Sequence, residues 1–240
     1  MSTPKGEIAL TRESIMDGSM RRWLTTADPS LKVATDEEHA TSIAALLKAR
    51  PDAPGDVWVF AYGSLIWNPT IHTVERRCAD LRGYHRRFCL WTHLGRGTPD
   101  CPGLMLALER GGSCRGVAYR IAEAQAEHEL MLLWRREMVT GAYQARWVKA
   151  VTLEGPVAAI AFTMNAKHPR YAGRLPEAQV AAVIARAEGA LGSCSKYLLS
   201  TVEHLRELGI RDHGMERLAR QVEMLRQPRS DLDGPPCPEG

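Results

Sequence analysis

No window of this 240-residue chain approaches the apolar run needed to span a bilayer, so no membrane helix is expected. The opening residues MSTPKGEIALTRES hold no apolar core of a secretory signal, and a cytoplasmic protein is the expectation. Excess charge of one sign is also missing. Lys and Arg number 31 against 28 Asp and Glu, for a formal charge of +3, and the basic pairs Arg21-Arg22, Arg76-Arg77 and Arg86-Arg87 are scattered. Nothing in that distribution calls for nucleic acid. Cys78, Cys89, Cys101, Cys114, Cys194 and Cys237 include no C-x-x-C pair, and the eight histidines include no H-E-x-x-H or other ligand-spaced pair. A dithiol redox centre and a metal site are therefore not expected. Internal repeats are absent, as is the β-α alternation of a doubly wound sheet.

Apolar β-type runs dominate the middle of the chain: VWVFAY, YHRRFCLW, GLMLALE, RGVAYRI, ARWVKAVTL and VAAIAFTM. One helical segment, AEHELMLLWRREMVT, interrupts them, and after the last run the pattern is helical. There Pro176 stands in first-turn position, one helix ends at Gly209 and the next ends before Pro228. Ahead of the strands, Thr35 with Glu38 makes a capping box for a helix that stops before Pro51, and another helix is predicted around Arg12 to Leu24. Strands grouped first and helices later predict an α+β domain with a mainly antiparallel or mixed sheet. The polar, proline-rich end SDLDGPPCPEG predicts a disordered tail.

The run VWVFAYGSLIWNP carries chemistry. Its first residues read as a strand buried on both faces, and Gly63 breaks it. A glycine and a hydroxyl residue at a strand end either close a hairpin or turn backbone N–H groups toward a cavity, where they can hold a carboxylate or an oxyanion. A second feature lies on the helix through LMLLWRREMVT. At about 100° per residue, Leu130, Leu133, Trp134 and Glu137 share one narrow stripe, while Arg135 and Arg136 point elsewhere. A carboxylate on an apolar face is an acid or base, or it is neutralised by an arginine from another element such as Arg86, Arg87 or Arg115. Tyr143, after Gly141, either packs at a strand head or turns its phenol back toward Glu137.

These stretches, with GYHRRFCLW, PGLMLALERGGSCRGVAYRI, LLWRREMVTGAY, MNAKHPRYAG and GALGSCSKYLLS, resemble the ChaC family of glutathione-specific γ-glutamylcyclotransferases from about Val57 to Met215. The resemblance implies a γ-glutamylcyclotransferase-like fold, a mixed sheet or small barrel with flanking helices. It divides the chain into an N-terminal helical extension (1–56), a catalytic domain (57–226) and a tail (227–240). It also implies that Tyr62, Gly63, Ser64 and Leu65 cradle the γ-glutamyl group, that Glu137 is the catalytic acid/base, and that Tyr143 and Tyr197 line the pocket. One of Arg86 and Arg87, on opposite faces of a strand, is left to meet a substrate carboxylate. The implied activity converts glutathione, a small-molecule substrate, to 5-oxoproline and cysteinylglycine without metal or other cofactor. Other γ-glutamyl amino acids or amines, or a non-catalytic γ-glutamyl-binding regulator, are the alternatives. Ala61 departs from the glycine usual in the family, and its methyl is expected to crowd the loop.

Overall fold

The computed structural model describes residues 9–227, so the expected tail lies outside the described residues apart from Gln227. Strand β1 (Val57–Ala61) is apolar throughout because both of its faces are covered: all five residues are buried. It pairs antiparallel with β3 (Gly103–Ile121) on one side and parallel with β5 (Gly155–Met164) on the other. With β2 (Glu75–Thr92) and β4 (Tyr143–Thr152) these strands close into a barrel of order β1-β3-β2-β4-β5, sealed where Trp58 meets Ala159 and Val59 meets Ile160. The expected mixed sheet is thus a small closed barrel. A hairpin at Gly63 is excluded, since β1 does not pair with β2.

Alternation along the strands separates two cores. Phe60, Ala79, Leu81, Ala118, Ala150, Ala159 and Ala161 lie in one cluster, and the frequent alanines give five tightly curved strands room to close. This cluster runs on into α5 (Glu177–Arg186), α6 (Cys194–Glu207) and α7 (His213–Arg226) through Ile184, Leu198 and Val222. The opposite face presents Val59, Ala61, Val117, Ile160 and Phe162 to Leu130, Leu133 and Trp134 of α4 (Ala126–Glu137). Ala61 is fully buried in this second core, which Leu65 and Ile66 of the following loop share, and it does not line the cavity described below.

Two expectations change. GLMLALE and RGVAYRI are one strand, β3, whose exposed middle carries Gly111 and Gly112 at φ 103° and 69°. The glycine pair bends a long hairpin with β2, which starts at Glu75, well before the stretch that announced it. The single helix predicted around Arg12 to Leu24 is two, α1 (Arg12–Met16) and α2 (Ser19–Ala27), parted at Gly18 with φ 72°. The Thr35–Glu38 capping box is present and opens α3 (Asp36–Lys48). A two-stranded ribbon, β6 (Glu188–Gly189) with β7 (Gly192–Ser193), precedes α6. No helix among the described residues is long and apolar enough to cross a membrane.

Candidate active site

Past Ala61 the chain leaves the barrel wall. The Tyr62 phenol donates to the Phe162 carbonyl at 2.9 Å, and Gly63 then leads into a 3-10 turn over Ser64–Ile66. The N–H groups that open such a turn have no partner within it. Space at position 63 is tight: a Cβ there would stand 3.1 Å from the Tyr197 hydroxyl, which would have to give by a few tenths of an ångström. Thr70, a few residues on, is held at φ 55°, a left-handed conformation uncommon for a β-branched residue.

Helix α4 brings Glu137 to this loop. Leu130, Leu133 and Trp134 are completely buried on its apolar stripe, and Glu137, at the stripe's last turn, retains 15 % side-chain exposure. Arg136, expected to point away, is only 2 % exposed. Its Nε lies 3.0 Å from Glu137 Oε1, its Nη2 donates to Ser64 Oγ at 2.9 Å, and its Nη1 donates to Thr70 Oγ1 at 3.1 Å and to the Asn68 carbonyl. One guanidinium therefore fastens the carboxylate to the loop. The helix ends here, so a long side chain can fold back across its terminus, which the helical periodicity does not register.

Tyr62, Gly63, Ser64, Leu65, Glu137, Tyr143 and Tyr197 all line one cavity of about 210 Å³. The Tyr143 hydroxyl donates to the Leu106 carbonyl at 2.9 Å. Burial, reinforced by the nearby Glu137 charge, holds the phenols protonated: Tyr197 is raised to about 12, and Tyr62 and Tyr143 well above the ordinary tyrosine value. Burial also pushes the Glu137 carboxyl up, and the opposing attraction of Arg136 does not cancel it. A carboxyl raised in this way, beside a fixed cation and facing a cavity, is suited to take and return a proton.

The arginines singled out in the sequence work elsewhere. Arg87 pairs with Glu109 at 2.7 Å, Arg86 lies buried 3.5 Å from Asp212, and Arg115 faces Asp80 at 3.6 Å. None of the three lines the cavity. Arg96 and Arg170 do. Arg96 stacks over the Tyr197 ring at 4.9 Å and donates to the Ser193 carbonyl, while Arg170 donates to Thr140 Oγ1 at 2.5 Å. Neither has a carboxylate within ion-pair distance among the described residues. Arg170 stood in the noted segment MNAKHPRYAG, but no periodicity distinguishes an inward arginine in an irregular loop from a solvated one.

Five strands closed into a small barrel and flanked by helices form a γ-glutamylcyclotransferase-like fold. A crystal structure of a yeast γ-glutamyl cyclotransferase specific to glutathione shares it, with a TM-score of 0.67 at 23 % identity, over 72 % of this chain and 97 % of the yeast one. The chain belongs to the ChaC family: the profile described as ChaC-like protein matches residues 57–225. The glutathione-specific γ-glutamylcyclotransferase of Escherichia coli K12 is 42 % identical over 217 residues, covering 90 % of this chain and 93 % of that one. Glutathione-specific γ-glutamylcyclotransferase 1 of Mus musculus is 32 % identical over 179 residues, 72 % of this chain and 80 % of its own.

Proposed function

We propose that this chain is a glutathione-specific γ-glutamylcyclotransferase in which Glu137 carries the proton. The observation that supports the reading best is the Glu137 carboxylate, raised by burial, facing a cavity and tied through Arg136 to the Ser64 loop. In the reaction the α-amine of the glutamyl group attacks its own γ-carbonyl carbon. A C–N bond forms to close 5-oxoproline, and the amide bond to the cysteinyl nitrogen breaks. Glu137 removes a proton from the attacking amine and returns one to the departing nitrogen, so atoms and charge balance without a further reactant. Holding the two ends of one molecule in a reactive pose supplies much of the acceleration, a contribution that reaches ~7–11 kcal/mol in well-oriented systems. The N–H groups of the Tyr62–Leu65 turn face the glutamyl carboxylate or the developing oxyanion.

Arg96 and Arg170 bear on the choice of substrate. Two guanidiniums with no carboxylate in ion-pair contact among the described residues favour a ligand with two carboxylates, as glutathione has, over a γ-glutamylamine with one. Mass spectrometry of the products formed from reduced glutathione tests the reading: 5-oxoproline and cysteinylglycine are expected in equal amounts. Glutamate in place of 5-oxoproline would mean hydrolysis and would overturn the cyclisation. No conversion beside intact binding would favour a γ-glutamyl-binding regulator.

A further inference from the structure

The family profile starts at Val57, yet Leu10, Met20, Trp23, Leu24 and Leu31 line the same cavity as Glu137. Met20, Trp23, Leu24 and Leu31 take no part in any of the hydrophobic core clusters. Trp23 and Leu24 keep partial exposure, although α2 is strongly amphipathic and could have buried that face against the fold. Apolar side chains left facing an open cavity lose contact with water only when something fills it.

The segment is also strapped to the catalytic elements at both ends. Asn68 Nδ2 donates to the Leu10 carbonyl at 2.8 Å, and Arg12 bonds both the Thr70 carbonyl at 3.1 Å and the Glu129 carboxylate at 2.6 Å. On the far side the Ala34 N–H reaches the Val139 carbonyl at 3.0 Å, and Asp36 pairs with Arg135 at 2.9 Å. Asp28, which caps α2, adds a negative charge near Arg170 without contacting it.

We propose that α2 forms the wall of the leaving-group subsite, with Trp23 and Leu24 packing on the cysteinyl residue of bound glutathione while Arg170 receives the glycine carboxylate. This rests on the function proposed above. The glutamyl half must sit at Glu137 and the Ser64 turn, where the chemistry occurs, and it offers little apolar surface. The cysteinyl side chain and its peptide offer more, and a thiol packs favourably on an indole. The helical extension (1–56) and the catalytic domain (57–226) would then act as one unit.

Steady-state kinetics of Trp23→Ala with glutathione test the wall. Because the wall touches a part of the substrate remote from bond making, KM should rise about tenfold while kcat stays within about twofold, and Trp23→Phe should recover most of the KM. Leu24→Ala, a smaller truncation, should shift KM in the same direction and keeps the test decisive if Trp23→Ala does not fold. An unchanged KM in folded variants, or a loss carried by kcat alone, overturns the wall and leaves the proposed function standing. Absence of 5-oxoproline with the unsubstituted protein overturns both.

Discussion

Glu129 and Glu137 lie about two turns apart on α4, and both are pulled from water, with opposite results. Burial pushes the Glu129 carboxyl up, but hydrogen bonds from Arg12 and the His72 N–H outweigh it, and its pKa falls below the ordinary value. Its contribution to stability is full above the unfolded pKa and is lost as pH falls through the folded one. For Glu137 burial prevails and the sign reverses: its contribution is full below the unfolded pKa and is lost as pH rises through the folded one. The protein thus gives up stability wherever Glu137 ionises. The acid limb of kcat/KM should accordingly fall above 4.5, the ordinary glutamate value. A pH–rate profile with its limb at or below that value would assign the limb to another group. In Glu137→Gln, turnover should drop ~10²–10⁴-fold with binding retained. The sequence posed catalysis and a salt bridge to another element as alternatives for Glu137; its ion-pair partner is instead Arg136 of the same helix, and Glu137 still lines the cavity. The melting temperature should stay level or rise slightly, because the neutral amide replaces a carboxyl whose ionised form the fold disfavours, while glutamine still offers an oxygen to Arg136 Nε and the guanidinium keeps its acceptors on Ser64, Asn68 and Thr70. A melting scan and an initial rate on one preparation check both halves.

Among the elements, those whose partners are local were legible and those defined by distant partners were not. Thr35 and Glu38 fix the start of α3 within a few residues, and the sequence shows it. The glycine pair in β3 reads as a turn until the opposing strand is known, because what keeps the strand going is pairing with β2. Arg136 and Glu137 illustrate the same divide at the end of α4. The stripe predicts the burial of Glu137, but the burial of Arg136 follows from acceptors on a loop more than sixty positions away in the chain. The loop itself is anchored twice, by Arg136 and by the Arg12–Glu129 pair, in which Glu129 is 1 % exposed. Arg12→Ala leaves that carboxylate without its cation and should destabilise the protein by ~3 kcal/mol at neutral pH, less in acid once Glu129 is protonated. Urea unfolding at pH 7 and pH 4 measures the difference; equal losses at both would show that Arg12 acts through packing alone.

At the scale of the whole molecule, family and fold class could be read from the Tyr-Gly-Ser-Leu and Arg-Glu segments, while the cavity's roof could not. Leu10, Trp23 and Leu31 lie in short helices and a connection with no motif, and only the closed structure brings them over Glu137. Closure also has a cost in time. The barrel is sealed by β1 meeting β5, with Trp58 and Val59 waiting on Ala159 and Ile160 a hundred residues downstream. Contacts so far apart in the chain are slow to form, and refolding followed by tryptophan fluorescence should have its main phase in the millisecond-to-second range. Ile160→Ala should slow that phase more than Val222→Ala in α7 if closure is the rate-limiting event. During synthesis the Tyr62–Leu65 turn leaves the ribosome well before the strand that holds β1 in place. Until β3 and then β5 follow, the nascent chain carries a wholly apolar strand with unpaired edges, the state in which association with other chains competes most with folding.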